Sequence, residues 1–387
     1  MRLGPILLAL LLLAPGAALA ERAAPKAAPT AAAIADYQKK LKEYQAARQQ
    51  FENEAGPYWA AIAQMRRTRF AKRRNGDVVL LEDYVLTQPP VYAGPPRPVD
   101  PSPPTDEEPR PPRKRIPVVA DFLAMAAEHF KFVPQRPKSE LDYKRAYARL
   151  AAAAGLTREQ IVRIYGFESG GNGKYDVQAG LEYDRPGARA ISTALGYNQL
   201  LTTNTVSLLA GKGDAFVKAL RGKAAGLDGD ARKNLERKIA VLARMVAFAK
   251  TVPNQWSEHD KLANTAKGWG VHALNLDIDV GPLLQTQKLL DSILFARMKG
   301  HTAPLSAAEL EMMNLTGDGN GFDMVTMPAA MRAQVPTSNF FQRGGYERNP
   351  VASRNNVVAK LLAATDAKMD REVKLQGARD LAAAYSE

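Results

Sequence analysis

The chain has 387 residues, 46% of them apolar, with no cysteine, four histidines and a formal charge of +13. The missing cysteine excludes disulfides, iron–sulfur clusters and thiolate chemistry, and His129, His259, His272 and His301 never fall in an H-x-x-x-H spacing, so neither a metal site nor a cofactor is expected. The positive excess suits an anionic partner (nucleic acid, anionic lipid or an acidic cell-wall polymer), or equally serves solubility.

The N-terminus carries the pattern of a cleaved export signal. Arg2 is a short basic region, Ile6 to Ala14 an apolar stretch too short to span a bilayer, and Ala18-Leu19-Ala20 a small-residue cleavage site. Without a cysteine after it, no lipoprotein anchor is expected. The mature protein is therefore expected to be periplasmic or secreted, with no nucleic-acid partner and no stable membrane insertion.

After an Ala/Pro-rich start, "AIADYQKKLKEYQAARQQFENEAG" reads as a helix with Tyr37, Leu41, Tyr44 and Phe51 on one stripe. Gly56-Pro57 is expected to break it. A second helical stripe follows through Trp59, Ile62 and Met65, then the basic run "RRTRFAKRRNG", and then "DVVLLEDYVL", read as a strand or extended segment. Residues 21–87 form an N-terminal helical arm or small module, either wall-binding or docked on the main domain. Residues 88–117 are proline-dense and read as a polyproline linker or semi-rigid spacer.

From residue 118 to 387 the pattern is helical almost throughout. Candidate helices are "VVADFLAMAAEHFKF", "SELDYKRAYARLAAAAG" (Ser139 as N-cap, Gly155 as stop), "TREQIVRIYGFES", "NTVSLLAG", "GDAFVKALRG", "DARKNLERKIAVLARMVAFAK", "VGPLLQTQKLLDSILFARMKG", "SAAELEMMNLTG" with a Ser306/Glu309 capping box, and a helical C-terminus from Ser353. The expected fold class is mainly α.

One helix carries a polar residue on its apolar face. Thr157 and Gln160 form a capping box, Ile161, Ile164 and Tyr165 share a face, and Glu168 falls on that same face just before Ser169-Gly170-Gly171. A carboxyl against apolar walls is held protonated towards neutral pH and can serve as a general acid for glycosidic-bond cleavage. The neighbouring glycines leave room for a bulky polymer to approach. The plain alternative is an inert glutamate at a fraying helix end.

Downstream, Ser192-Thr193-Ala194 precede Gly196-Tyr197-Asn198-Gln199, and an apolar helix with Thr203 and Thr205 follows. Asn314 with Gly317 and Gly319 comes later. With Glu168-Ser169-Gly170-Gly171 these blocks, from about Val118 to Gly345, resemble the lysozyme-like catalytic domain of bacterial lytic transglycosylases. That family has Glu-Ser at a helix end, then "G-L-M-Q", then "A-Y-N-A-G-x-G". Here Tyr197-Asn198 stand in place of Leu-Met, the third block lacks the Ala-Tyr pair, and the spacing from Glu168 to Gln199 is longer.

The resemblance implies peptidoglycan glycan strands as substrate. Glu168 would be the sole catalytic acid/base, cleaving the bond between N-acetylmuramic acid and N-acetylglucosamine to leave a 1,6-anhydro end. Ser169, Gly196, Tyr197, Asn198, Gln199, Asn314 and Tyr346 would be substrate-binding. Trp256 and Trp269 are either groove-lining or core. Two alternatives stay open. One is a hydrolase of the same fold (a muramidase, or chitinase- or chitosanase-like), drawing a second carboxylate from Asp176, Glu182 or Asp184. The other is a non-catalytic wall-binding or scaffold protein. Asp318, Asn320 and Asp323 in "TGDGNGFD" read as a Gly/Asp turn rather than a calcium loop.

Overall fold

The computed structural model describes residues 29–102, 115–181 and 187–387; the expected signal segment lies outside them. Their regular structure is helical: α1 (Ala31–Asn75), α2 (Val119–Phe130), α3 (Glu140–Ala153), α4 (Arg158–Ser169), α5 (Thr202–Ala225), α6 (Gly229–Ala249), α7 (Trp256–Ala263), α8 (Ala266–His272), α9 (Gly281–Met298), α10 (Ala307–Thr316), α11 (Asp318–Thr326), the short α12 (Ala329–Arg332), α13 (Arg343–Glu347) and α14 (Pro350–Arg354), then α15 (Val358–Glu372) and α16 (Gln376–Ser386). Short 3-10 turns occur at Leu81–Asp83, Ala273–Leu276 and Thr337–Phe340. Among the described residues, extended pairing is confined to isolated bridges such as Leu195 with Leu200. The chain is thus mainly α, and no described helix is long and apolar enough to cross a membrane.

Two compact units divide the chain: Met1–Asn53 with Val91–Pro111, and Glu54–Pro90 with Pro112–Glu387. This division differs from an arm, a linker and a domain in series. In the first unit, Tyr44 and Phe51 meet Tyr92 edge-on at 6.2 and 5.6 Å between ring centres. The Arg48 guanidinium lies over the Phe51 and Tyr92 rings. Gly94 approaches α1 so closely that an added Cβ would stand 2.8 Å from the Ala47 Cβ. The start of the proline segment therefore packs back on the helix instead of acting as a free spacer. An extended proline segment has no internal hydrogen bonds to satisfy, so its side chains can do the docking.

Residues Glu54–Pro90 belong to the second unit. The expected break at Gly56-Pro57 does not occur, and α1 continues through Pro57. A proline inside a helix costs about 3 kcal/mol, and the next turns are pinned in compensation. The Tyr58 hydroxyl bonds Ser338 Oγ at 2.7 Å, Trp59 packs on Tyr346, and Ile62 is buried.

The basic run is not a free surface patch. Arg66 and Arg69 are buried and donate to the carbonyls of Asn339, Phe341 and Asp83. Arg69 Nε also pairs with Asp323 Oδ2 at 2.9 Å, both side chains fully buried, and Arg73 and Tyr84 bond the other Asp323 oxygen. Of "DVVLLEDYVL", expected as a strand or extended segment, Leu81–Asp83 form a 3-10 turn between extended Leu80 and Tyr84, and Asp83 caps the turn. The Asp83 carboxylate accepts from the Leu80 N–H at 2.8 Å and from Lys72 at 2.7 Å.

The second unit has two apolar cores. One gathers α3, α4, α10, α11 and the C-terminal helices; the other gathers α2 and α5 to α8. α9 joins them, giving Leu284 to the second core and Leu289 and Ala296 to the first. "NTVSLLAG" and "GDAFVKALRG", expected as two helices, are one, α5. Each interior glycine costs about 1 kcal/mol, but Gly213 lets α6 come so near that a Cβ there would sit 2.4 Å from Val246 Cγ2. The close α5–α6 contact outweighs the propensity penalty.

Candidate active site

α4 starts at a reciprocal cap: the Gln160 N–H donates to Thr157 Oγ1 at 3.1 Å, and the Thr157 N–H to Gln160 Oε1 at 2.9 Å. Ile161, Ile164 and Tyr165 are fully buried, as the periodicity implies. The helix ends at Gly170, left-handed at φ 66°, which fixes Glu168 in the last turn. Gly171 serves packing rather than access, since a Cβ there would lie 2.5 Å from the Glu372 carbonyl oxygen. Lys368 Nζ donates to the Phe167 carbonyl at 2.7 Å and places positive charge at the negative end of the helix dipole.

Glu168 is half-buried as a residue, and protein groups enclose its carboxyl. Asn314 on α10 donates its amide to Glu168 Oε1 at 2.6 Å. Glu311, one turn earlier on the same helix and 1% exposed, is within hydrogen-bonding reach of Glu168. Burial pushes the Glu168 carboxyl up to about 7, against the opposing pull of Lys288 and Lys368 and of the bonds from Glu311 and Asn314. Burial and the neighbouring Glu168 charge hold Glu311 well above the ordinary carboxylate range. Two carboxyls this close titrate as a pair.

Asn314 and Lys288 open onto a cavity of about 470 Å³ at the junction of the two cores. α5 lines it with Asn204, Ser207 and Leu208, and α7 with Trp256. α9 contributes Lys288, Asp291 and Ser292, and Met313, Asn314, Gly317 and Asp318 close the far side. The α9 residues fall at i, i+3 and i+4, which puts them on one face. Ser292 donates to Asp318 Oδ1 at 2.7 Å. Burial pushes Asp291 up, with Asp318 adding repulsion. Burial lowers Lys288, while Glu168, Asp318, Glu311 and Asp291 pull it back. Trp256 leaves 54% of its surface open.

Glu168 itself is not among the lining residues and meets the cavity through Asn314; of the residues singled out by sequence, Trp256, Asn314, Gly317 and Asp318 line it. Ser169 Oγ donates back to the Tyr165 carbonyl at 2.6 Å, one turn earlier in its helix. Gly196 takes φ 81° in a tight turn closed by the paired N–H···O bonds of Leu195 and Leu200, both 3.0 Å. Tyr197 and Asn198 have no exposed surface. The Tyr197 ring is wedged among Tyr143, Tyr147 and Tyr165, and its hydroxyl bonds Glu140. Asn198 Nδ2 donates to the Gln285 carbonyl at 2.8 Å and to the Tyr147 hydroxyl at 3.0 Å. Gln199 folds its amide onto the Gly196 carbonyl at 2.8 Å. Residues 196–199 thus anchor a wall from within, and their side chains are spent on protein partners.

Thr205 holds His272, whose other ring nitrogen meets the Thr193 carbonyl, and Thr203 bonds Asp260. Tyr346 is buried against Trp59 and Phe341 rather than at the Glu168 carboxyl, and Trp269 packs on the second core. Asp176 lies 3.6 Å from Arg136; Glu182 and Asp184 lie outside the described residues. Asp318 and Asn320 begin α11 rather than a turn, Asp323 is committed to Arg69 and Arg73, and no acidic or histidine cluster able to hold a metal occurs among the described residues.

Glu311 and Lys288 are the site residues that sequence reasoning missed. Neither carries the signal that flagged Glu168: Lys288 follows Gln285-Thr286-Gln287 and shares its face with Asp291 and Ser292, and Glu311 follows Glu309 and precedes Asn314 by one turn. The arrangement supplies two adjoining buried carboxyls, both pushed up by burial, a nearby cation, and a polar cavity with an aromatic wall. Scans against protein-family models, curated proteins and solved structures each found no match to this chain.

Proposed function

We propose that the protein is an exported enzyme that cleaves peptidoglycan glycan strands as a lytic transglycosylase, on a lysozyme-like helical frame, with Glu168 as its acid/base. The observation that carries this reading is the Glu168 carboxyl, pushed to about 7 and held by Asn314 beside the cavity between the two cores. A general acid works best when its pKa lies near the working pH. Protonated Glu168 gives its hydrogen to the oxygen bridging N-acetylmuramic acid to N-acetylglucosamine as the anomeric bond breaks. The carboxylate left behind is stabilised by the Asn314 amide and the Lys288 charge. It then takes the proton of the muramic acid's own 6-hydroxyl as that oxygen closes on the anomeric carbon. No water enters, and the product is a 1,6-anhydro end. Trp256 offers an exposed ring on which a sugar can stack.

A second reading has its own support. Asp291 and Asp318 line the same cavity, and either could hold a water for direct hydrolysis. Digestion of purified sacculi followed by mass spectrometry separates the two: anhydro ends are one water lighter than hydrolysed ends. Loss of hydrolysed ends in Asp291→Asn or Asp318→Asn variants would favour the hydrolase.

A further inference from the structure

Glu311 is the buried titratable group that this mechanism leaves without a task. It sits on α10, which is buried on nearly every side, and is itself 1% exposed. No donor among the described residues meets its Oε2. A buried carboxylate oxygen without a donor leaves a charge unsolvated in a low-dielectric interior, which costs several kcal/mol. A hydrogen on the Glu311 carboxyl removes that charge and makes the group a donor, and Glu168 is an acceptor within hydrogen-bonding reach of it. Asn314, one turn along the same helix, presents its amide to Glu168 Oε1 at 2.6 Å, so α10 aims two donors at one carboxyl.

We propose that Glu311 is a permanently neutral carboxylic acid, a positioning residue that donates a hydrogen bond to Glu168 and stabilises its carboxylate form. The charged groups acting on the pair are Lys288 from α9 and Lys368 from α15; Asp291 on α9 and Asp318 at the start of α11 act on Lys288 in turn. Lys288 and Lys368 favour ionisation of either carboxyl, and one proton kept on the more deeply buried Glu311 spares the site two adjacent negative charges. During turnover the Glu311 proton stays on Glu311, and only the Glu168 proton moves. A carboxylic acid held neutral by an apolar site in order to donate is an established device in catalysis. The role in turnover rests on Glu168 being the acid/base; the protonation state of Glu311 does not.

Two experiments test the two parts. The first is an NMR titration of glutamate carboxyl carbons in the full chain, over a range of about pH 4 to 10, for wild type, Glu168→Gln and Glu311→Gln. Two carboxyls are expected to stay protonated after the ordinary glutamates have ionised. The one that moves near neutrality is lost in Glu168→Gln, and the one that holds its proton longer is lost in Glu311→Gln. A wild-type spectrum with at most one late-titrating glutamate overturns the proposal whether or not the protein cleaves walls.

The second is wall digestion across pH. Glu311→Gln keeps an N–H donor and should stay within a few-fold of wild type with its alkaline limb in place. Glu311→Leu keeps the burial without the donor; it should lose ~10-fold in kcat and move that limb up by about one pH unit. A leucine variant with the wild-type profile overturns the positioning role while leaving Glu168 as acid/base. Wild-type protein that releases nothing overturns the acid/base reading itself, and with it the turnover role of Glu311; the NMR result still stands or falls on its own.

Discussion

Replacing Glu168 with glutamine should make the folded protein less sensitive to alkali. The ordinary glutamate value of 4.5 applies to the unfolded chain, and burial raises it to about 7 in the folded state. Between those values the unfolded chain has released a proton that the folded chain still holds, so stability falls as pH rises. The difference corresponds to ~3 kcal/mol, an upper figure because Glu168 keeps some contact with solvent. This stability is fully present below pH 4.5 and lost as pH climbs through about 7. Glutamine has the same shape and cannot ionise, so it escapes the loss. Urea unfolding of both proteins at matched pH values gives the difference directly, and other titrations common to both cancel. The advantage of Glu168→Gln should grow by ~2–3 kcal/mol from acid to mildly alkaline conditions. A difference that stays constant with pH would mean that Glu168 ionises as a solvated surface group, and the acid–base argument would fail with it.

Other expectations follow from the same contacts. Asn314→Ala removes the amide bonded to Glu168, so the alkaline limb of the pH–activity profile should move up and turnover fall ~10-fold; an unmoved limb would show the contact to be idle. Trp256→Ala should change stability by less than about 1 kcal/mol, because the ring is largely exposed, yet raise KM for wall fragments; an unchanged KM would remove Trp256 from the sugar path. Asp323→Ala strands the buried Arg69 guanidinium and should cost ~3–5 kcal/mol in urea unfolding. A loss under about 1 kcal/mol would mean that the carbonyls of Asp83 and Asn339 suffice to hold Arg69.

What the sequence disclosed depended on whether a signal was local. The α4 cap, its apolar face and its glycine stop are all written between Thr157 and Gly170, and Glu168 was legible from them. The Ser139 and Ser306 caps were legible for the same reason. Long-range partners were not. Nothing near Arg66 or Arg69 says that their charges end on Asp323 and on distant carbonyls, so the basic run gave no sign of the brace it forms. The Gly56-Pro57 signal was real, but it falls beside the boundary between compact units rather than at a helix end. Tyr197 and Asn198 were expected to face substrate on the strength of the resemblance alone; here the turn inserts into a tyrosine cluster that no local pattern reveals. Glu311 and Lys288 lie in stretches that already carry polar residues (Glu309 and Asn314, Gln285 and Asp291), so no local contrast marked them; only the packing of α4, α9 and α10 does.

The central claim is that Glu168 transfers the proton in glycan cleavage. Purified sacculi incubated with wild-type protein and with Glu168→Gln, each shown to be folded and to bind the wall, test it most directly. Wild type should release muropeptides with anhydro ends, one water lighter than hydrolysed ends, and the glutamine variant should bind but release none. Equal release by both proteins, or none by either, would contradict it.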